Sequence, residues 1–231
     1  MKVIYLTHST CIIQIHEKNL LIDPFLYENS SFDKRSLNTY MDMYSPIHYI
    51  LITHAHYDHV CDVEFFSKKY PNALIIANYE ISNFYSKKGI NTYGINYGSF
   101  IPFSFGKLKY TWACHSSVFN NGIYGGNPGG FLLHTEEGNL YISGDTSITW
   151  EMNLFPIFGK IDLSILPIGG RYTMDIEEAI QASNLLKCER VLGVHYNTFN
   201  EIKIHKEKSV KDFMENKKDL ILLESWDSIT I

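Results

Sequence analysis

No stretch of the sequence approaches the ~20 consecutive apolar residues that a membrane helix needs, which argues against a helical membrane protein. Positive charge is also scarce. The 20 Lys and Arg stand against 25 Asp and Glu, a formal net charge of -5. A chain of that sign lacks the basic surface on which a nucleic-acid binder depends. Cysteine is sparse, with Cys11, Cys61, Cys114 and Cys188 scattered and no C-x-x-C pair. This spacing is that of reduced, mostly buried thiols; Cys61 and Cys114 adjoin histidines, but a ligand role is the less favoured reading. The N-terminus, MKVIYLTHSTCIIQIHEKN, has neither a continuous apolar segment nor a small-residue cleavage site, so no secretory leader is read and a cytoplasmic protein is expected. Neither a low-complexity tract nor a short-period repeat is present. A G-x-S-x-G motif is missing too, so nothing points to a serine nucleophile.

What remains is an ordinary globular composition, 45% hydrophobic and rich in Tyr and Phe, over 231 residues, enough for one domain with a substantial core. The runs VIYL, CIIQI and NLLIDPF read as strands, the last two joined by a hairpin turn at HEKN. Residues 27–46 are polar and aperiodic and read as a long surface loop, of the kind that serves as a lid. Strands are expected at HYILIT and ALIIAN, each followed by a helix, DVEFFSKKY and EISNFYSKKG. From Gly98 the pattern turns to β, with FIPFSF, KLKYTWAC, FLLHTEEGN and LYIS, and then alternates as DLSILPI, a helix opened by an Asp175/Glu178 capping box, RVLGVH and a polar terminal helix. The segment LILLESWDSITI closes the sheet. Each half, roughly 1–115 and 128–231, is thus β-rich and then βαβ. The expected fold is α/β, an αββα sandwich of two mixed β-sheets with helices outside, as one domain over residues 1–231.

The segment H-A-H-Y-D-H at 54–59 carries the chemistry. It places three imidazoles and a carboxylate in the loop leaving a strand's carboxyl end, the edge where ligand loops of α/β folds gather. Neutral imidazole and carboxylate suit zinc and comparable divalent ions. His54 and His56 lie two apart and point the same way in extended backbone, while Asp58 and His59 sit where the chain turns into a helix. A polar loop that merely contains histidines rarely shows this density directly after an apolar strand. Three residues follow later strands in the same manner: His115 after KLKYTWAC, Asp145 after LYISG and His195 after RVLGV. Each alone is as well explained by capping or solvation; together, beside a cluster that needs partners, they are candidate ligands.

These motifs resemble those of the metallo-β-lactamase fold hydrolases, over nearly the whole chain, and within them a small single-domain branch akin to the L-ascorbate 6-phosphate lactonase group. H-x-H-x-D-H is highly specific, and S-G-D-T at 143–146, P-I-G-G at 167–170 with Tyr172, Thr173 and Met174, and G-V-H-Y-N-T-F at 193–199 fit that branch. The resemblance implies two divalent ions, zinc, with manganese or iron as alternatives. His54, His56 and His115 would hold one, Asp58, His59 and His195 the other, and Asp145 would bridge both. Asp58 and Asp145 are then the carboxylates taking part in catalysis. A hydroxide shared by the ions would attack a small ester, lactone or phosphoester. The alternatives are a nuclease or RNA-processing hydrolase of the same fold, and a non-catalytic metal-binding module. The position between His54 and Asp58 is His56 rather than the Glu of the family's oxygen- and NO-reducing members, which favours hydrolysis.

Around this set, His8 and Asp23 are candidates to contact or brace the ligands. The stretch G-G-N-P-G-G at 125–130, with Asn127, offers either an oxyanion cradle or a tight turn. Gly169, Gly170 and Tyr172 read as a flexible pocket-lining loop. His16, His48, His134 and His205 lack the strand-then-loop context and read as non-ligands. The expected partner is a small-molecule substrate; neither a nucleic acid nor a membrane is expected, and the oligomeric state is not written in the sequence.

Overall fold

The structure is a computed structural model that describes residues 1–30, 32–34 and 37–231, with the side chain of Asn38 outside the description. The chain forms two compact units. The first comprises Met1–Asn96, Ser116–Pro128 and Glu224–Thr230; the second comprises Tyr97–His115, Gly129–Leu223 and Ile231.

The first unit carries a seven-stranded mixed sheet in the order β14-β1-β2-β3-β4-β5-β6. Strands β1 (Lys2–Thr7), β2 (Thr10–Ile15) and β3 (Lys18–Ile22) form an antiparallel meander. Strands β4 (Tyr49–Leu51), β5 (Leu74–Asn78) and β6 (Thr92–Ile95) then add in parallel. Helices α3 (Val63–Lys69) and α4 (Tyr79–Ser86) make the crossovers, and β14 (Ser228–Thr230) pairs antiparallel with β1. Ile4, Leu6, Ile12, Leu21, Ile50 and Ile75 bury one face of the sheet with Val63, Phe66, Ile81 and Tyr85 of the helices. The alternating residues Val3, Ile13, Leu20, Leu51 and Ile76 are buried too. Burial of both faces is why these strands read as unbroken apolar runs.

The second unit repeats the plan, with strand order β13-β12-β11-β10-β9-β8-β7. Strands β7 (Ile101–Phe103), β8 (Gly106–Trp112), β9 (Gly129–Thr135) and β10 (Gly138–Ile142) are antiparallel neighbours. Strands β11 (Leu163–Pro167), β12 (Arg190–Val194) and β13 (Asp219–Ile221) follow in parallel. Helix α5 (Ile176–Leu185) starts at Asp175, whose side chain accepts a hydrogen bond from Glu178 N at 2.9 Å, the expected cap. Helix α6 (Lys206–Glu215) starts at His205. Among the described residues no helix is long and apolar enough to cross a membrane.

Two expectations are corrected. The halves do not divide at 115 and 128: β7 and β8 belong to the second sheet, and the C-terminal segment is split, β13 joining the second sheet and β14 the first. Hydrophobic runs identify strands but not the sheet they join, which hydrogen bonding decides. Residues 27–46 are not a structureless loop, since helix α1 (Leu37–Met43) lies within them; residues 31, 35 and 36 fall outside the described part. Leu37 and Met41 enter the core, one helical turn apart, a pattern too short to stand out as a period. Helix α3 stands where DVEFFSKKY predicts it, preceded by one further short helix, α2 (Tyr57–Val60), and Asp62 between them accepts hydrogen bonds from the backbone N–H groups of Leu26 and Tyr27. Strand β6 and a 3₁₀ segment over Trp150–Phe158 were unexpected.

Candidate metal centre

Strand direction sets the edge at which polar residues gather. In the first unit β1, β3, β4 and β5 run the same way, since β1 and β3 are both antiparallel to β2 and the others are parallel to β3. Their carboxyl ends therefore share one edge, and they lead into His8, Asp23, Thr53-His54 and Asn78. The second sheet obeys the same rule. There β8, β10, β11 and β12 are co-directional, and their carboxyl ends lead to His115, Asp145, Gly169 and His195.

In the first unit a single buried carboxylate organises the histidines. Asp23 accepts hydrogen bonds from Thr53 N at 2.8 Å, from Thr53 Oγ1 at 2.6 Å and from His59 Nδ1 at 2.9 Å. A carboxylate only accepts, so the His59 proton is on Nδ1 and its lone pair is on Nε2. The Thr53 hydroxyl spends its proton on Asp23, so toward His54 Nδ1, 3.0 Å away, it accepts. His54 thereby also presents Nε2. His56 lies with Nε2 3.1 Å from Ser116 Oγ, which leaves Nδ1 as its inward atom. His54 Nε2 and His56 Nδ1 are 3.0 Å apart, close to the ~3.3 Å that two nitrogens keep around a tetrahedral zinc at ~2.0–2.1 Å. His8, Asp58 and His59 each bring a ligand atom within 4.8 Å of the other two.

The loop that carries these groups is packed from beneath. Ser117 Oγ accepts from Ala55 N at 3.1 Å and donates to Gly125 O. A Cβ at Gly125 would stand 2.2 Å from that of Ala55. Asn78 Nδ2 donates to Gly125 O and Asn127 O, and Asn127 Oδ1 accepts from the Tyr124 hydroxyl. The 125–130 glycines therefore serve close packing, and the oxyanion-cradle reading gives way to the tight turn.

In the second unit Asp145 faces two histidines from separate strands. Its Oδ2 is 3.0 Å from His195 Nε2 and 3.7 Å from His115 Nε2, and it is buried. Thr146 clips the strands together, its Oγ1 accepting from Cys114 N and its carbonyl from Met174 N. The loop after β11 is a bonded turn rather than a flexible one, with Gly170 N donating to Met174 O and Tyr172 N to Gly170 O. Gly169 has no room for a side chain, since a Cβ would lie 2.3 Å from His195 O. In the first unit, imidazoles whose lone pairs turn inward, grouped with the Asp58 carboxylate, fit a divalent cation.

The four histidines set aside have other work. His48 Nδ1 accepts from Asn19 N, and His205 Nδ1 from Lys208 N at the start of α6. His134 packs tilted against Phe100, and burial followed by Lys107 lowers its pKa. His16 stands at the β2–β3 hairpin with a positive φ of 51°. The sequence reading missed Thr53, Ser116, Ser117 and Thr146. All four are hydroxyl residues within two positions of a candidate ligand in the chain, and that proximity was the available signal.

A family model for the beta-lactamase superfamily domain matches residues 18–196. A UPF0173 metal-dependent hydrolase from Flavobacterium johnsoniae is 45% identical over 231 residues, covering 100% of both chains. The chain belongs to the UPF0173 family of metal-dependent hydrolases. Among solved structures, this UPF0173 chain superposes on Igni18, a metallo hydrolase from Ignicoccus hospitalis, with a TM-score of 0.88 and 28% identity, covering 100% of this chain and 97% of that one. An isothiocyanate hydrolase from Delia radicum gut bacteria shares the fold alone, at 17% identity and a TM-score of 0.76, over 100% of this chain and 99% of that one. The fold is thus the metallo-β-lactamase fold, of the αββα class, and the UPF0173 protein is a metal-dependent hydrolase of that superfamily.

Proposed function

We propose that this hydrolase opens a small ester, lactone or phosphoester with two divalent ions, zinc in the first instance. His54, His56 and His115 serve one ion, Asp58, His59 and His195 the other, and Asp145 is shared. The observation that carries the reading is the Asp23–Thr53 arrangement, which turns Nε2 of both His54 and His59 inward from one buried carboxylate. A surface loop would have no use for two imidazoles locked in the same tautomer. Ions in such a set would supply a Lewis acid and lower the pKa of bound water toward about 7. The chain's own part is to hold the imidazoles neutral and aimed, and to place the charge of Asp145 where two cations would otherwise repel. The substrate is a small molecule, since the net charge of -5 offers no footing for a polynucleotide. Four free cysteines suit a reducing compartment, and we place the protein in the cytoplasm.

The test uses Asp145→Asn, which removes the charge at nearly constant shape. Metal analysis is expected to show two ions in the parent protein and most of one lost in the variant. Circular dichroism should be unchanged, and hydrolysis across a panel of lactones, phosphodiesters and phosphomonoesters should fall by at least about 100-fold. His205→Ala removes only a helix cap, about 1 kcal/mol of stability, and should keep both ions. An Asp145→Asn protein with two ions and unchanged rates would reject the shared carboxylate.

A further inference from the structure

Arg171 and Tyr172 stand at the tip of the turn that follows β11, and both are exposed. The turn is held at both feet. Gly170 N donates to Met174 O and Met174 N to Thr146 O, each at 3.0 Å, which fastens the far foot to the residue after Asp145. The near foot is Gly169, packed against the carbonyl of His195 with no space for a Cβ between them. The tip is thus carried between the backbones of two candidate ligands of the second unit. Gly170 and Arg171 have φ values of 70° and 60° in succession. Glycine takes this conformation freely, whereas for arginine it is strained, and such strain collects where ligands are held.

The Arg171 guanidinium is unspent. Among the described residues no carboxylate pairs with it, and it lies over the Tyr172 ring at 5.3 Å. Lys88, Lys160 and Lys208, by contrast, each pair with a carboxylate at 3.1 Å or less. Asp175, the carboxylate nearest to Arg171 along the chain, has its Oδ1 engaged in capping α5. The Tyr172 hydroxyl is likewise without a partner among the described residues, on a side chain that is 56% exposed. A guanidinium presents a planar fork of N–H donors that matches a carboxylate or a phosphate, and stacking on a ring orients it before a ligand arrives.

We propose that Arg171, with the Tyr172 hydroxyl beside it, determines specificity for substrates that carry a carboxylate or phosphate in addition to the bond that is cleaved. The anion docks on the guanidinium while the bond to be cleaved lies at the ion served by Asp145 and His195. A chain with a net charge of -5 repels anions as a whole, so a substrate of that sign needs a local cation to hold it. The inference rests on the reading of Asp145 and His195 as ligands and adds to it the chemical class of the substrate.

The test titrates zinc-loaded protein calorimetrically with three sets of probes: dicarboxylates from malonate to adipate, phosphonoacetate and 3-phosphonopropionate, and monocarboxylates from acetate to hexanoate. Zinc content is measured before and after each titration. The variants are Arg171→Gln and, as a control of equal charge change, Lys187→Gln. Lys187 is exposed just beyond the other end of α5, about 15 Å of helix away, farther than the Debye length of about 8 Å at physiological salt. In the parent and in Lys187→Gln, a dianion is expected to bind more tightly than the monocarboxylate of matching length. In Arg171→Gln that advantage should shrink by about 10–100-fold. The set with the larger Arg171-dependent advantage, dicarboxylate or phosphonate, identifies the group recognised. An advantage as large in Arg171→Gln as in the parent, an equal loss in Lys187→Gln, or no advantage in the zinc-loaded parent would each overturn the proposal. A parent protein that takes up no zinc would instead reject the function proposed above, and this inference with it.

Discussion

Three residues at the polar strand ends, His8, Asp23 and His195, have positive φ values of 52°, 42° and 54°. Each directly follows a strand, β1, β3 or β12, and each is buried. A left-handed non-glycine residue costs about 1–2 kcal/mol, and Asp and His are among the types that bear it best. The bend ends the strand abruptly and keeps the side chain at the sheet edge instead of letting it alternate onto a face. Strain of this kind is retained where the surroundings over-determine it. For Asp23 they do, through three hydrogen bonds from Thr53 and His59. Asp23→Asn must set an amide N–H against one of those donors. It is expected to lower stability by about 1–3 kcal/mol and zinc affinity by about 10–100-fold. Urea unfolding of the metal-free protein and a zinc titration measure the two effects separately; a variant with parental affinity would show that His54 and His59 keep their tautomers without it.

At the scale of elements, strand ends work only where the next backbone can come close. Gly169 lets the end of β11 pass against the carbonyl of His195 and the side chain of Ile202. Gly169→Ala would force the chain after β12 to shift, and with it His195. We expect a loss of about 1–3 kcal/mol, read from the urea midpoint, together with weaker metal binding; loss of stability with intact binding would show that the loop yields elsewhere. Helix α1 illustrates an element no periodicity reveals. Beyond Leu37 and Met41 its partner is remote, since Tyr40 stacks on Trp226 at 4.6 Å and Tyr44 follows at 6.3 Å. Trp226 is tied by its own N–H to Tyr5 O, beside the pairing of β14 with β1. The helix therefore depends on a tryptophan almost two hundred residues downstream.

For the whole molecule, metal and fold should be linked, because ions that bind only the native state stabilise it. An ion present at 1,000 times its Kd adds about 4 kcal/mol, and each kcal/mol is worth about 2–4 °C in a chain of this size. Removing metal with a chelator should lower Tm by more than about 10 °C, and zinc should restore it; a Tm indifferent to chelation would mean weak binding to the folded state. Thiol reactivity gives an independent check of burial. Cys114 is exposed, whereas Cys11 and Cys188 are buried and Cys61 is partly so, and burial first of all pushes these three thiols up. At pH 8 a thiol reagent should therefore label Cys114 first and reach all four only on unfolding, as mass spectrometry would show.

The H-x-H-x-D-H segment, the strands behind it and the strand-end positions of His115, Asp145 and His195 were legible in the sequence. Each is a local pattern, an apolar run followed by a polar break, and local patterns survive without knowledge of the rest of the chain. Asp23 was visible for the same reason, as a polar residue ending the run NLLID. The tertiary structure alone decided that Asp23 reaches His54 through Thr53, that Ser116 turns His56, and that His8 comes to lie against Asp58, fifty residues away. It alone also divided the C-terminal segment between two sheets and gave the 125–130 glycines to packing. Hydrogen bonds over such separations depend on which strands become neighbours, and that is settled by burial across whole sheets rather than by any residue's own surroundings in the chain.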